Sequence, residues 1–234
     1  MKYFYRFLTR STNLLAGKSC ATPPFIVYTY RQTGGRGMGT NSWFTGSGKN
    51  IALSFVTNPF QIPAEDQFLL NITLSLALRS ALQKVIPKQK VFLKWPNDIY
   101  VEGKKLGGIL FENKISGSEF SRSIMGVGIN VNQKEFPSDL PNAISLTNVA
   151  NRLFSKKKLV HSIGSALENA RYKNWSDTKN EYLSHLLFYG VKRNYLYKNT
   201  PITGSITDID KFGRLILKQD DCTTLCCDIK ELKF

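Results

Sequence analysis

The sequence predicts an α+β fold, in which a β-sheet is flanked by helices and a small β domain follows. Short apolar and β-branched segments, which are typical of strands, recur up to residue 132, and a long helical pattern over 63–86 interrupts them. Further helical patterns cover about 147–154 and 159–187, and short strands return after residue 190. We therefore expect one large domain at 1–188 and a barrel-like β domain at 189–234, which is too small to be very stable alone.

The composition of the 234 residues is ordinary for a soluble globular protein, with 42% hydrophobic and 21% charged residues. No apolar run approaches the roughly 18–20 residues that span a bilayer, and the N-terminus lacks the apolar core of a signal peptide. We therefore expect a cytoplasmic protein without membrane association. The four cysteines have no histidine cluster at zinc-ligand spacing, and His161 and His185 lie in helical periodicity. This argues against a metal site or a His-dependent triad.

The net charge of +15 is the unusual number. It predicts attraction to a polyanion or to an acidic protein partner, and nucleic-acid binding is an open alternative. Against that alternative, the basic residues are spread along the chain, the only tight run is at 156–158, and no helix-turn-helix signature is present.

Strands and loops alternate ahead of the long helix. Strands are predicted at 2–8, 25–30 and 51–56, and a turn at 47–50. The Ser-Thr-Asn run at 11–13 precedes an apolar Leu-Leu-Ala run and is suited to cap a short helix, which leaves backbone N–H groups pointing outward.

A glycine-rich loop follows the second strand. Four glycines lie within residues 34–39, so we expect a mobile loop whose amides can wrap a phosphate. Arg36 adds a forked cation that suits an anion. The loop is not a P-loop, because no Lys-Ser/Thr pair ends it.

The long helix is predicted to begin at Pro63 and to end at Pro87, with Glu65 and Asp66 in its first turn favouring the helix dipole. We assign it a structural role only.

The chain is organised around a predicted β-hairpin at 91–110. Its first strand leads into Lys-Trp-Pro-Asn-Asp at 94–98, where the proline ends the strand. Residues 102–104 form the turn. The return strand carries Lys105 and the glycine pair at 107–108, which lets a ligand approach closely. Lysines, an asparagine and an aspartate beside a glycine gap suit an anionic ligand.

A later strand at 123–132 carries glycines at alternate positions. Since residues i and i+2 share a face of a strand, Gly126 and Gly128 leave a slot on one face, and Asn130 and Asn132 follow on that face.

The hairpin motif resembles the biotin–protein ligases, which carry Lys-Trp-Pro-Asn-Asp followed by Lys-x-x-Gly-Ile-Leu in this order and spacing. Ser-Thr-Asn at 11–13, Gly-Arg-Gly at 35–37 before Trp43, and Gly-x-Gly-Ile-Asn at 126–130 match the same family. The resemblance is strong over 32–132 and only architectural after about 145. It implies a class II synthetase-like catalytic domain with a mixed sheet, and an SH3-like barrel at the C-terminal end. The match is to a short form without the N-terminal DNA-binding domain.

The resemblance also implies roles for individual residues. Those expected to act in catalysis are Lys105, Arg36 and Asp98. Those expected at biotin are Ser11, Thr12, Asn13, Gln32, Gly35, Arg36, Gly37, Met38, Lys105 and Gly108. Those expected at ATP are Arg36, Trp43 (stacked on adenine), Lys94, Asn97, Lys105, Asn130 and Asn132. No protein-bound metal is expected.

The reaction implied by the resemblance has two steps, both assisted by aligning anions and neutralising the α-phosphate. Biotin attacks ATP to give biotinyl-adenylate, and a lysine of a biotin carboxyl carrier protein then takes the biotin and releases AMP. Mg²⁺ bridges phosphates, largely through waters. Three roles stay open for Asp98: orienting Lys105, orienting the incoming amine, or helping to hold Mg²⁺. The glycine-rich loop is the expected lid over the adenylate.

The loop departs from the family at 38–40, where Met-Gly-Thr replaces a stretch that often holds another basic residue. A loop with fewer positive charges is expected to hold the activated intermediate less tightly.

The expected partner is an acidic acceptor domain, steered by the positive charge. We expect no specific DNA binding, and a monomer or homodimer. A lipoate or octanoate ligase of the same superfamily is the alternative enzyme. A basic nucleic-acid-binding protein without activity is the alternative from another class, and it predicts steeply salt-dependent binding.

Overall fold

The computed structural model of the protein describes residues 1–45, 48–58 and 62–234. Elements of the first part are, in chain order, β1 (Lys2–Arg6), α1 (Thr12–Lys18), β2 (Phe25–Thr29), β3 (Gly35–Arg36), β4 (Ser42–Trp43), β5 (Ile51–Thr57), α2 (Gln67–Val85), β6 (Val91–Lys94), β7 (Asp98–Val101), β8 (Lys104–Ser116) and β9 (Glu119–Ile129). Those of the second part are α3 (Leu146–Ala150), α4 (Lys156–Glu168), α5 (Trp175–Ser184), β10 (Lys192–Tyr197), β11 (Thr200–Ile209), β12 (Leu215–Gln219), β13 (Thr224–Cys227) and β14 (Leu232–Lys233).

Seven strands form one sheet in the order β1-β2-β5-β9-β8-β7-β6. The pair β1–β2 is parallel and the other neighbours are antiparallel, so the predicted mixed sheet is confirmed. Strands β2 and β5 are buried along almost their whole length, as their mostly apolar sequences require. The short glycine-loop strands β3 and β4 pair with each other as a separate ribbon.

Helix α2 covers the sheet. It follows a short 3-10 turn at Ala64–Asp66, so the helix itself begins four residues after Pro63, and it ends before Pro87 as predicted. Its buried positions include Leu70, Leu74 and Leu78, which belong to the main core cluster.

The helical region after residue 145 is more divided than the sequence pattern predicts. The prediction of one helical segment over 159–187 is wrong. Asn174 caps a new helix, α5, because its side chain accepts a hydrogen bond from Asp177 N–H. The lysine run at 156–158 forms the first turn of α4 behind the cap Ser155.

The C-terminal segment forms a five-stranded antiparallel sheet in the order β13-β12-β11-β10-β14. Within this part of the chain, no ladder joins β13 to β14, so closure into an SH3-like barrel stays a prediction. The domain boundary at 188/189 also stays a prediction. The sheet contacts the hairpin motif directly, since the indole N–H of Trp95 donates to the carbonyl of Gly213 at 2.8 Å.

The predicted turn at 47–50 is formed at residues 48–50, and Ser47 lies outside the described residues. Over the described ranges, no helix is both long enough and apolar enough to span a membrane.

Candidate active site

A cavity of about 230 Å³ opens on the sheet face where α1, the glycine-rich loop and the hairpin at 91–110 meet. It collects most of the residues that the sequence singles out. Those that line it are Ser11, Thr12, Asn13, Gln32, Arg36, Gly37, Met38, Trp43, Asn97, Asp98, Lys105 and Gly108.

Buried polar groups form the floor of this cavity. The first turn of α1 is capped by Ser11, whose hydroxyl accepts from Leu14 N–H at 3.5 Å. Gln32 Oε1 accepts from the Thr12 N–H at 2.9 Å, which fixes the entrance of the glycine-rich loop to the helix start. Ser54 of β5 lies 2.8 Å from Thr12 Oγ1 and donates to Asn13 Oδ1 at 2.5 Å. The floor is therefore a connected network of hydrogen bonds that presents polar atoms to a ligand.

The slot predicted at Gly126 and Gly128 of β9 is present, and side chains from other parts of the chain occupy it. A Cβ on Gly126 would collide with the amide of Asn13, and one on Gly128 would collide with the indole of Trp43. The two glycines therefore admit Asn13 and Trp43 to the cavity.

Arg36, which lines the cavity, forms an ion pair with a glutamate of β8. Arg36 Nη2 lies 2.8 Å from Glu112 Oε1, and Asn13 Nδ2 donates to the other carboxylate oxygen, Oε2, at 3.0 Å. Glu112, on β8, therefore links the glycine-rich loop to the floor.

A second ion pair lies on the hairpin, where Lys105 Nζ is 2.6 Å from Asp98 Oδ1. The register shifts between β7 and β8, so that Asp98 faces Gly108 and Tyr100 faces Lys105, with Leu106 as the extra residue. An unbroken alternation would put residues 105 and 108 on opposite faces of the strand. The bulge thus brings Lys105 to the face that carries Asp98.

Trp43 covers the inner wall of the cavity. Lys105 Nζ lies 5.8 Å from the centre of its ring, and its indole Nε1 is buried without a partner among the residues described. An unpaired buried donor is costly, so this N–H is a candidate contact for a polar ligand.

Four predicted site residues do not line the cavity. Gly35 lies behind it, where a Cβ would be 2.7 Å from Gln32 Nε2. Lys94 points away, with its Nζ 4.5 Å from the centre of the Phe234 ring and 5.3 Å from that of Tyr100. Burial lowers the pKa of Lys94, and the nearby Asp98 partly opposes that shift.

The remaining two of these four residues are Asn130 and Asn132. Their side chains form hydrogen bonds with the segment that follows β9. The amide of Asn130 donates to the carbonyl of Ile144, and that of Asn132 donates to the carbonyl of Phe154 and accepts from the hydroxyl of Thr147. Asn130 is 4% exposed. Their side chains support the loop beside Lys105, where Lys105 N–H donates to the carbonyl of Asn142.

Asn97 joins the strands of the hairpin. Its side-chain amide donates to the backbone carbonyl of Ile109 at 2.7 Å, and its backbone carbonyl accepts from the backbone N–H of Ile109. It also lines a second cavity of about 490 Å³, which adjoins the first and extends between α2 and the C-terminal sheet, as far as Phe212 and Ile229.

Sequence reasoning missed Ser54 and Glu112. Both lie on strands that read as structural, and nothing local marks them, because their partners are 41 to 99 residues away in the chain. Ser54 and Glu112 contact residues that line the cavity, whereas Asn41 and Ser42, which were missed as well, line it themselves.

Within the described ranges, no group of three or more His, Cys, Asp or Glu side chains is placed to hold an ion. Cys227 is buried, and burial raises the pKa of its thiol to about 11.

Comparison with protein families gives two matches. The model described as the biotin/lipoate A/B protein ligase family matches residues 5–130. The model described as the biotin protein ligase C terminal domain matches residues 194–224.

Individual proteins agree with these matches. The bifunctional ligase/repressor BirA of Bacillus subtilis is 28% identical over 204 residues, which cover 84% of this chain and 62% of that protein. The biotin–[acetyl-CoA-carboxylase] ligase of Mycobacterium tuberculosis is 29% identical over 199 residues, covering 82% and 72%. The chain therefore spans less than two thirds of the B. subtilis relative.

Among solved structures, the biotin protein ligase of Aquifex aeolicus in complex with biotin and ATP superposes with a TM-score of 0.82 at 24% identity, covering 99% of this chain and 97% of that one. The predicted α+β fold is therefore confirmed.

Proposed function

The chain belongs to the biotin/lipoate A/B protein ligase family, and on that premise we propose that it is an ATP-dependent biotin–protein ligase. It activates biotin as biotinyl-5′-adenylate and transfers it to a lysine of a biotin carboxyl carrier protein. The observation that carries this proposal is one cavity with two ion-paired cations, Arg36 and Lys105, above a buried polar floor.

The polar floor favours biotin over lipoate or octanoate. Ser11, Thr12 and Asn13 are each no more than 5% exposed and turn hydroxyl and amide groups towards the cavity. The ureido ring of biotin carries two N–H donors and one carbonyl acceptor that pair with such groups. A dithiolane or an alkyl end would leave them unpaired, and a site built to hydrogen-bond a ligand rejects analogues that cannot do so.

In the first step, a carboxylate oxygen of biotin attacks the α-phosphorus of ATP, and the bond from that phosphorus to the bridging oxygen breaks to release pyrophosphate. Biotin and ATP are both anions, so the site has to hold them together. Arg36 and Lys105 supply positive charge at the place where charge develops. The contact with Asp98 supports a role in orienting the Lys105 ammonium.

In the second step, the neutral amine of the acceptor lysine attacks the carbonyl carbon of the mixed anhydride. An amide forms, the bond from that carbon to the phosphate oxygen breaks, AMP leaves, and the amine gives up a proton. The second cavity adjoins the first at Met38, Pro96 and Asn97 and offers a route for the acceptor side chain. Steering of an acidic acceptor domain by the net charge of +15 belongs to the same proposal.

The cavity fits a magnesium ion carried by ATP. Mg²⁺ is commonly bound through one or two carboxylates with phosphates and water, and Asp98 is the one carboxylate that lines the described part of the cavity. When bound, the ion would neutralise phosphate charge. The proposed site of action is the cytoplasm, where ATP is available.

The test is a labelling assay with the full chain. The protein is incubated with ATP, Mg²⁺, biotin and a biotin-acceptor domain, and the acceptor is probed with streptavidin. Labelling that requires ATP and is lost in Lys105→Ala supports the proposal.

Biotin-dependent exchange of pyrophosphate into ATP is measured in parallel, with lipoate and octanoate as competing substrates. Exchange with either of these acids and none with biotin would overturn the assignment of biotin. Absence of exchange with all three would overturn the ligase assignment, and the salt dependence of RNA and DNA binding would then test the remaining alternative.

A further inference from the structure

Glu112 holds two parts of the site at once. One carboxylate oxygen accepts from Arg36 Nη2 at 2.8 Å, and the other accepts from Asn13 Nδ2 at 3.0 Å. Arg36 is on the glycine-rich loop and Asn13 is on α1, so this carboxylate on β8 bridges the loop and the helix.

The bridge continues into the floor. Asn13 Oδ1 accepts from Ser54, and Ser54 contacts Thr12, whose N–H donates to Gln32. An uninterrupted chain of hydrogen bonds therefore runs from the guanidinium of the loop to the helix start. Gly126 makes this possible, because any side chain there would displace the Asn13 amide.

Simple surface pairing does not account for the contact. The pair Lys173–Glu181 is comparably exposed and leads to no buried group. By contrast, the second oxygen of Glu112 holds Asn13, which is 5% exposed. Since the Arg36 and Glu112 side chains are themselves 49% and 36% exposed, their attraction adds little stability. What the contact does fix is the direction of Arg36.

That direction matters because arginine has five N–H donors in a rigid fork. In the described structure, Glu112 accepts one hydrogen bond from Nη2 of the guanidinium, while Nε and Nη1 have no hydrogen-bond partner. An arginine between two glycines has many accessible orientations, so a fixed partner on one edge reduces the ordering that a ligand must impose.

We propose that Glu112 is a positioning residue. It orients Arg36 so that donors of the guanidinium that remain free face the anionic centre of the ligand, and through Asn13 it couples that orientation to occupancy of the floor. This inference rests on the proposed biotin-adenylating function.

The experiment compares release of synthetic biotinyl-5′-adenylate from the full chain and its variants, measured by stopped-flow fluorescence. Glu112→Gln keeps an acceptor for Asn13 and removes the charge that orients Arg36. Since hydrogen bonds to charged groups are the strong ones, release is expected to be faster by about tenfold. Glu112→Ala also breaks the link to Asn13, so the KM for biotin is expected to rise more than in Glu112→Gln.

A double-mutant cycle separates positioning from a direct effect. In an Arg36→Ala background, Glu112→Gln is expected to change the release rate by less than about twofold, because the group it acts through is gone. Glu119→Gln, an exposed glutamate at the start of β9, is the matched control, and thermal unfolding verifies that each variant is folded.

Two results have different meanings. If the wild-type chain does not bind the adenylate, the proposed function fails. If the wild-type chain binds it and Glu112→Gln releases it at the wild-type rate, or if the two substitutions are additive, the positioning role of Glu112 is overturned while the ligase proposal stands.

Discussion

Lys105 Nζ lies 2.6 Å from Asp98 Oδ1, although these residues are not opposite each other in the ladder between β7 and β8. Asp98 is opposite Gly108, and the bulge at Leu106 gives Lys105 the same orientation. A Cβ on Gly108 would lie 3.6 Å from the Asp98 carboxylate. The hairpin therefore sets the lysine beside a carboxylate and a glycine against which the Trp43 ring packs, on the wall of the cavity.

Lys105→Ala is expected to lower the rate of adenylate formation by about 10²–10³-fold, the range seen when one donor to a developing charge is removed. Asp98→Asn is expected to have a smaller effect in the same direction, because the ammonium stays but loses its fixed partner. Biotin-dependent pyrophosphate exchange measures both. Lys104→Ala, at the exposed neighbouring position, is the control, and a loss equal to that of Lys105→Ala would contradict a specific role.

Gly128→Ala is expected to displace Trp43 and to destabilise the fold by about 1–3 kcal/mol, since the added methyl group collides with the indole. Denaturant unfolding gives the free energy, and the emission of Trp43, compared with that of a Trp43→Phe version, reports the displacement. Gly17→Ala is the matched control, because its Cβ would meet Ile124 at an ordinary 3.7 Å. Equal stabilities for the two variants would show that the slot tolerates a side chain.

The fold could be predicted from sequence where local pattern and burial agree. The apolar runs of β2 and β5 and the long pattern of α2 each correspond to one buried element. The helical pattern over 159–187 gave a wrong prediction, because helical periodicity continues across the break between α4 and α5. The cap at Asn174 is the feature that marks this break. Closure of the C-terminal sheet depends on contacts between distant strands, which no local pattern contains.

The candidate site shows the same division. Residues within contiguous motifs, such as Thr12, Arg36 and Lys105, were predicted and do line one cavity. Glu112 escaped prediction because its role comes from contacts with residues 76 and 99 positions away. Lys94 belongs to the motif and is paired with Asp98, so the two residues share a face of the sheet. The Lys94 ammonium nevertheless lies over the Phe234 ring and does not line the cavity, a contact with a residue 140 positions away that no local pattern contains.

Alkaline pH is expected to destabilise the protein. Burial, with contributions from Tyr28 and Tyr5, raises the pKa of Tyr30 from its ordinary 10.0 to about 12. The unfolded chain therefore loses this proton first, and stability falls as pH rises from about 10 to about 12 and is unaffected below that range. Tyr30→Phe removes the ionisable group, so its midpoint of urea unfolding should fall less over this range than that of the wild type. Parallel decreases in the two proteins would contradict a contribution from Tyr30.

Met38→Arg is expected to slow the release of biotinyl-5′-adenylate by about three- to tenfold, because a hydrogen bond to a charged group adds roughly that much affinity at a partly exposed site. Met38 lines both the first cavity and the adjoining one, so a guanidinium there lies within reach of the phosphate end of the intermediate. Thr40→Arg adds the same charge to an exposed residue of the same loop that lines neither cavity. This control therefore distinguishes a local contact with the intermediate from general attraction of an anion. Stopped-flow release rates at two ionic strengths measure the difference. A slower release in Met38→Arg alone would mean that the natural methionine keeps the intermediate short-lived, whereas equal slowing in both variants would reduce the effect to net charge.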